Sequence, residues 1–293
     1  MEICSVDKCT GCSACYNACS HQAIKMREDK LGHLFPIVDS DKCVRCMLCK
    51  SSCPVNNKPI LVYPAKCYAV ALLDKNDLRK SASGGAATAM MREVLRNEGV
   101  VYGCTGENIF NVHHIRIDNV ADVEKLRGSK YVQSSVGYIY KMVKTDLQNH
   151  REVLFTGTPC QIDSFRRYIK KFYCEDNFVL LDFFCHGVPS MLVWKKYTKW
   201  AEAKVGKITY ASWRNKWTGW HDSWAMGIDG EEHGEKVDWH DSYDMLIKGK
   251  SFLESRMSQG DMSTRFSLAT VVSANSVMPI ASISMINHLQ TYV

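Results

Sequence analysis

Two runs of cysteines, Cys9-Thr-Gly-Cys12-Ser-Ala-Cys15-Tyr-Asn-Ala-Cys19 and Cys43-Val-Arg-Cys46-Met-Leu-Cys49-Lys-Ser-Ser-Cys53-Pro54, repeat one spacing within a single short stretch. Nine of the chain's 14 cysteines lie between Cys4 and Cys53, and the remainder of the 293 residues holds five. A segment so rich in thiols has few large apolar side chains and needs a staple to fold. The start, MEICSVDKCT, has no basic region followed by an apolar core, so no secretory signal is expected and the chain is read as cytoplasmic. Clustered thiols in such a setting point to metal ligation rather than to disulfides.

The spacing says which metal group. Three cysteines at steps of three wrap a tight loop whose thiolates converge on one iron–sulfur cube. The fourth begins a helix running away from the loop and reaches the other cube, as in two-cluster bacterial ferredoxins. The expected wiring is Cys9, Cys12, Cys15 and Cys53 around one [4Fe-4S] cluster, and Cys43, Cys46, Cys49 and Cys19 around the second. Zinc sites pair C-x2-C motifs and leave no use for a third cysteine at the same step. Ser20 stands where the first motif would often carry proline, and Cys4 has no place in the motif, which reads as a packed or free thiol. Two clusters in series carry single electrons over a distance that one could not span, so the wire needs a terminus in the rest of the chain.

Residues 1–58 are taken as this module. Ala23–Met26 and Leu34–Val38 are expected as strands, Asp29–Gly32 as their turn, and Asn56–Pro59 as a linker. Apolar runs at Cys67–Leu73, Val100–Cys104, His114–Ile117, Val153–Phe155 and Phe178–Phe184 predict strands. Helical patterns fall at Ala86–Arg96, Val136–Leu147, Cys160–Ile169 and Met191–Ala203. Alternation of this kind argues for an α/β body. Ile208–Trp213, Ser223–Ile228 and Lys236–Trp239 then read as antiparallel strands. The fold class expected is α+β / α/β: a small two-cluster ferredoxin-like domain followed by a larger mixed α/β body.

Two short loops in the body carry small residues before a helix: Ser81-Ala-Ser83-Gly84-Gly85 and Thr156-Gly157-Thr158-Pro159-Cys160-Gln161. Free N–H groups at a helix start can hold an anion, and small residues let a ligand approach the backbone. Each loop alone is as readily a plain strand-to-helix turn.

The module followed in order by KSASGGAATA, GSKYVQSS, VLFTGTPCQI, LLDFFCHGVPS and WRNKWTGW resembles the beta-subunit family of coenzyme F420-reducing hydrogenases and dehydrogenases, over about residues 1–250. The resemblance implies a body at 64–250 that binds FAD and a divergent or aberrant tail at 251–293. It implies a flavoprotein oxidoreductase in which the clusters exchange single electrons with FAD. FAD in turn exchanges a hydride with a small molecule such as coenzyme F420. Ser81, Ser83, Gly84 and Gly85 match the family's serine–glycine loop, and Thr156, Gly157, Thr158, Pro159 and Gln161 its threonine–glycine–proline loop, both candidate flavin contacts. Lys130 is a candidate counter-charge to a phosphate or to the reduced ring; the plainer reading is a solvated lysine.

Cys160 is expected at a helix N-terminus, which lowers a thiol's pKa. It is read as a redox thiol at the site, a ligand of a further cluster, or a packing residue. His186 follows a strand at the sheet's carboxyl edge, where α/β ligands bind, and is either a proton relay or a structural histidine. Cys67, Cys104 and Cys174 read as buried cysteines. A redox protein such as ferredoxin, or another oxidoreductase subunit, is the expected partner. Alternatives are a ferredoxin-dependent flavin reductase that never meets coenzyme F420, and a non-catalytic electron-transfer subunit or truncated inactive member.

The formal charge of +6 comes from scattered Lys and Arg with no basic arm, which argues against nucleic acid. Phe266–Ile286 carries no charge but is interrupted by Ser, Thr, Asn and Pro, so no membrane span is expected there.

Overall fold

The computed structural model describes residues 1–57, 68–169, 177–183, 185, 187–215, 225–231 and 234–237. Cys67, Cys174, His186, the WTGW end of the tryptophan-rich stretch and the tail at 251–293 lie outside the described residues.

The cysteine module is pseudo-symmetric. Short helices α1 (Ala14–Ala18) and α2 (Leu48–Ser51) each follow one cysteine loop. Between them lies an antiparallel hairpin, β1 (Ile24–Glu28) with β2 (Leu34–Val38), in register from Ile24↔Val38 to Glu28↔Leu34. Asp29 makes its turn: Oδ1 accepts from the N–H groups of Leu31 and His33 at 2.8 and 3.0 Å. Of the expected linker, Asn56 and Asn57 are bonded into the module, and Lys58 and Pro59 lie outside the described residues. Asn56 Nδ2 donates to Ile3 O and Asn57 Nδ2 to Cys53 O, both at 2.8 Å, because a side-chain amide can close backbone groups that a small core leaves open.

The body begins with α3 (Lys75–Lys80) and α4 (Ala86–Arg96). It continues through β3 (Val100–Thr105), β4 (His113–Ile117), α5 (Val123–Leu126), α6 (Ile139–Gln148), β5 (Val153–Thr156), α7 (Pro159–Ile169) and β6 (Phe178–Leu181). The four strands form one sheet in the order β4-β3-β5-β6, with β3, β5 and β6 parallel and β4 antiparallel at the edge. Both faces are covered, as the near-continuous apolar strands require. Tyr102, Phe155 and Leu180 meet α6 and α7 on one face, and Val101, Leu154 and Leu181 meet α4 and α5 on the other. Tyr140, Phe155 and Phe165 are fully buried and pack mutually with ring centroids 5.1–5.8 Å apart. Each such pair is worth about 0.5–1.5 kcal/mol beyond the area it buries.

Helix α8 (Met191–Val205) follows, capped by Ser190 Oγ accepting from Val193 N at 3.3 Å. It packs on an antiparallel sheet, β7 (Ile208–Asn215), β8 (Ala225–Gly230) and β9 (Gly234–Val237), through a core that includes Trp194, Tyr197 and Trp213.

Three expected elements differ. Within Cys67–Leu73 the described residues form no extended strand; Val70 makes one bridge and Leu72 N donates to Gly84 O at 2.8 Å. The helix expected from Val136 starts at Ile139, because Gly137 turns the chain at a φ of +54°. The strand expected to reach Phe184 ends at Leu181.

Candidate functional site

The two cysteine loops share a backbone pattern that their side chains do not announce. Gly11 and Ser13 take positive φ (68° and 63°), and so do the residues at the matching places of the repeat, Arg45 and Met47 (55° and 64°). A left-handed residue at Ser, Arg or Met costs about 1–3 kcal/mol and persists where the surroundings enforce it. Such alternation turns successive N–H groups inward and makes the concave nest that holds anions and iron–sulfur centres.

Each loop borders its own hollow. Cys19, Cys43, Cys46 and Cys49 line one. Cys9, Cys12, Cys15 and Cys53 line another, together with Cys4. None of these nine cysteines is in a disulfide. Ala23 N donates to Cys19 Sγ at 3.3 Å, a bond suited to a ligand thiolate. Burial pushes Cys12 up to about 12 and also raises Cys15 and Cys49. Thiolates gathered in such surroundings need a cationic core to offset them. Among the described residues no three His, Cys, Asp or Glu converge closely enough to hold a single metal ion. Four thiols around each hollow are the donor set of a cube, whereas a lone zinc draws its ligands to one point.

The hollow of Cys9, Cys12, Cys15 and Cys53 faces the body. Tyr140 Oη from α6 donates to Cys12 O at 3.0 Å, and Ser164 Oγ from α7 lies 2.8 Å from the same hydroxyl. Gln133 clamps the module from both sides: Nε2 donates to Thr10 O at 3.2 Å, and Oε1 accepts from Leu34 N at 2.7 Å. A Cβ at Gly11 would stand 2.3 Å from Gln133 Nε2, so this clamp requires glycine. Asn17 Nδ2 donates to Gly137 O at 2.8 Å, and Ser190 Oγ to Leu31 O at 2.6 Å.

Against this junction lies the loop Thr156–Gln161. Thr158 Oγ1 is 3.1 Å from Cys160 Sγ, and Gln161 Oε1 accepts from Thr158 N at 2.9 Å. Gln161 Nε2 donates to the buried Ser134 Oγ at 3.1 Å, which commits the amide to holding the loop. Gly157 N donates to Leu181 O at 3.1 Å, and Pro159 opens α7 as a first-turn proline should. Cys160 does stand in that first turn, but its thiol is not lowered. Burial pushes it up to about 11, and Cys185 adds to the rise, because desolvation outweighs the helix end. Cys160 is near enough to Cys12 to raise its thiol.

The second loop is tied to α3 and to the end of α5. Ser81 Oγ donates to Asp77 O at 2.9 Å and accepts from Arg127 at 3.2 Å. Gly84 and Gly85 are required by packing: a Cβ would meet Val70 O at 2.1 Å and Leu72 Cδ1 at 2.3 Å. Ser83 is exposed on the same loop. Lys130 is not a solvated lysine. Its ammonium donates to Leu126 O and Arg127 O, both at 2.8 Å, and burial draws its pKa down to about 8. Among the described residues no carboxylate stands within ion-pair distance of it. A half-buried cation without an ion pair suits an anionic ligand.

Two residues at this edge escaped the sequence reading. His114, at 5% exposure, sets Nε2 3.2 Å from Thr156 O, and burial holds it down to about 4. Its Nδ1 is buried without a partner among the described residues. Asp182 follows β6 with Oδ1 likewise unpartnered, and burial lifts its carboxyl to about 6. An acid directly after an apolar strand was the available signal for Asp182; nothing in the sequence set His114 apart.

No helix among the described residues is long and apolar enough to cross a membrane. The family model of the 4Fe-4S dicluster domain matches residues 8–57. That of the C terminus of the coenzyme F420 hydrogenase/dehydrogenase beta subunit matches residues 150–256. No curated protein matches the chain. Among solved structures it is similar to a chain of the F420-reducing [NiFe] hydrogenase complex from Methanosarcina barkeri, at 17% identity and a TM-score of 0.43. That likeness covers 60% of this chain and 62% of the other, and is too loose to carry an inference. The two family models fall in the order that the motifs announced: the chain carries a segment matching a 4Fe-4S dicluster domain, followed by one similar to the C terminus of the coenzyme F420 hydrogenase/dehydrogenase beta subunit.

Proposed function

We propose that the chain is an iron–sulfur flavoprotein oxidoreductase, passing single electrons through two [4Fe-4S] clusters to or from FAD. Bound FAD would supply the conversion between one-electron steps and hydride exchange with a small molecule such as coenzyme F420. The observation that carries this reading is the junction itself: Cys12 of one thiol quartet meets Tyr140 and Cys160 of the body. The module spans 1–58, the flavin body 64–250 and the tail 251–293.

The proposed roles follow from the geometry. Cys9, Cys12, Cys15 and Cys53 hold the inner cluster, and Cys19, Cys43, Cys46 and Cys49 the outer one. Lys130 faces the anionic part of the flavin. The start of α4, where no side chain caps the first turn, leaves N–H groups free for a phosphate beside Ser81, Ser83, Gly84 and Gly85. Thr156, Gly157, Thr158, Pro159 and Gln161 shape the wall between the inner cluster and the ring. Cys160 lies in the electron path. His186, as a proton relay, lies outside the described residues.

The outer cluster is the entry point. Cys46 is exposed, and Val44, Met47 and Leu48 around it are 58%, 47% and 43% exposed. An apolar collar around a ligand thiol suits transient docking of a redox protein such as ferredoxin, or of another oxidoreductase subunit.

Anaerobic purification with iron supplied, then incubation with FAD, tests the reading. About eight iron and about one flavin per chain support it. Iron without flavin after that incubation would leave a plain electron-transfer subunit.

A further inference from the structure

The two halves of the cysteine repeat are alike in backbone and opposite in cover. Position for position, Thr10, Gly11, Cys12, Ser13, Ala14 and Asn17 of the first loop correspond to Val44, Arg45, Cys46, Met47, Leu48 and Ser51 of the second. The body covers the first set: Gln133 donates to Thr10 O, Tyr140 donates to Cys12 O, and Asn17 donates to Gly137 O. Gly11, Cys12, Ser13, Ala14 and Asn17 are buried, and each of their counterparts is exposed. The side chains change against solvent. Thr10, Ser13 and Ala14 have Val44, Met47 and Leu48 as counterparts just where the chain is bare. Single apolar residues on a surface need no explanation, but three around one ligand thiol form the apolar centre of an interface. Met and Arg are enriched at such centres, and Lys and Glu are depleted.

Arg45 says what the opposing surface carries. It holds a left-handed φ of +55° at the place where the covered loop has glycine, a conformation that costs a side chain energy. Its exposed side chain borders the outer hollow, and among the described residues it forms no ion pair. His21 also borders that hollow, and no carboxylate does. Asp39 and Asp41 stand before the loop, where Lys42 engages Asp39 at 4.0 Å. An arginine that only offset the charge of a cluster would leave its three apolar neighbours unexplained.

We infer that the bare outer loop is the docking face for an acidic electron-carrier protein. The carrier sets a carboxylate against Arg45 and apolar surface against Val44, Met47 and Leu48, with its own one-electron centre close behind. Its place on the outer loop is the one that the body takes on the inner loop. This deepens the entry role proposed above for the outer cluster and rests on it. An arginine fork suits a carboxylate, and an exposed charge at a rim governs encounter rate more than affinity. Three apolar side chains and one charge make a small, transient contact. The chemistry is the transfer of one electron: the carrier is oxidised, the outer cluster is reduced, and no proton or bond moves.

Anaerobic stopped-flow mixing tests it, with the iron-loaded full-length chain as wild type, Arg45→Gly, Arg45→Glu and Met47→Ser. The donor is a reduced plant-type [2Fe-2S] ferredoxin, an acidic carrier. Reduced methyl viologen, too small to need the collar, is the reference. Arg45→Gly installs the residue that the matching loop already holds, so the fold is kept. Wild type is expected to slow about tenfold with ferredoxin as salt rises from about 50 to about 500 mM. Arg45→Gly slows at low salt and loses most of that dependence, and Arg45→Glu slows further. Met47→Ser slows at every salt concentration. Iron content and the rate with methyl viologen stay unchanged throughout. A ferredoxin rate that is the same in both Arg45 variants as in wild type, or that rises with salt, would overturn the assignment. Loss of iron from Arg45→Gly, or a wild type that reacts with methyl viologen and not with ferredoxin, overturns it as well. A wild type that takes no electrons from methyl viologen sinks the two-cluster reading instead.

Discussion

Tyr140 Oη donates to the carbonyl oxygen of Cys12 at 3.0 Å, joining the second thiol of the first cysteine loop to a fully buried ring in the core of the body. The bond spans 128 residues of sequence and fixes which cluster faces the body. Tyr140→Phe keeps the ring packing and strips Cys12 O of this donor. A buried acceptor left unpaired costs about 1–3 kcal/mol. Thermal melts of the iron-loaded protein are expected to show that loss, with iron content unchanged.

The crossed wiring has its own signature. Cys19→Ser and Cys46→Ser remove ligands of the same outer cluster, so both are expected to erase the same resonance signal. Cys53→Ser and Cys12→Ser are expected to erase the other. A wiring without the cross would pair Cys19 with Cys12 instead.

Asp77 ties the serine–glycine loop to α4 and α5. It bonds Arg92 at 2.5 and 3.0 Å and Arg127 at 2.9 Å, and Arg92 above all holds its carboxyl down to about 2. A carboxyl depressed from 3.8 contributes stability that is present above pH 4 and lost as pH falls toward 2. Asp77→Asn is expected to cost about 1–3 kcal/mol at neutral pH, because Arg127, only 4% exposed, keeps a buried charge with a weaker partner. Urea melts between pH 2 and 7 are expected to converge for wild type and variant at the acid end.

Lys130 gives a two-signed prediction. Burial lowers its ammonium from 10.5 to about 8, so the folded protein releases this proton before the unfolded chain does. The cost of burying the charge is complete below pH 8 and is relieved as pH rises toward 10.5. Flavin-free protein is therefore expected to gain stability across that window, and Lys130→Met to lose the gain. FAD affinity runs the other way, falling above pH 8 in wild type; in Lys130→Met it is weaker below pH 8 and the fall is absent. Fluorescence quenching of added FAD reads it.

What the sequence made legible was what spacing alone controls. The cysteine quartets that gather at the two hollows, the hairpin turn at Asp29 and the alternation that builds the sheet follow from residue type and period. The αL backbone at Ser13, Arg45 and Met47 could not be read, because nothing in those side chains favours it. The repeat supplies the constraint, and only the folded chain displays it. The burial of Lys130 and His114 could not be read for a related reason: it decides their chemistry, and it comes from segments distant in sequence.

The central claim is that electrons pass between the clusters and a flavin in the body. Anaerobic mixing of iron-loaded protein with reduced coenzyme F420 or NAD(P)H, with and without FAD, tests it most directly. The account predicts that one of these hydride donors brings up the reduced-cluster resonance, and only when FAD is bound. Clusters that stay oxidised with every donor in the presence of FAD, or that are reduced equally well without it, would contradict the account.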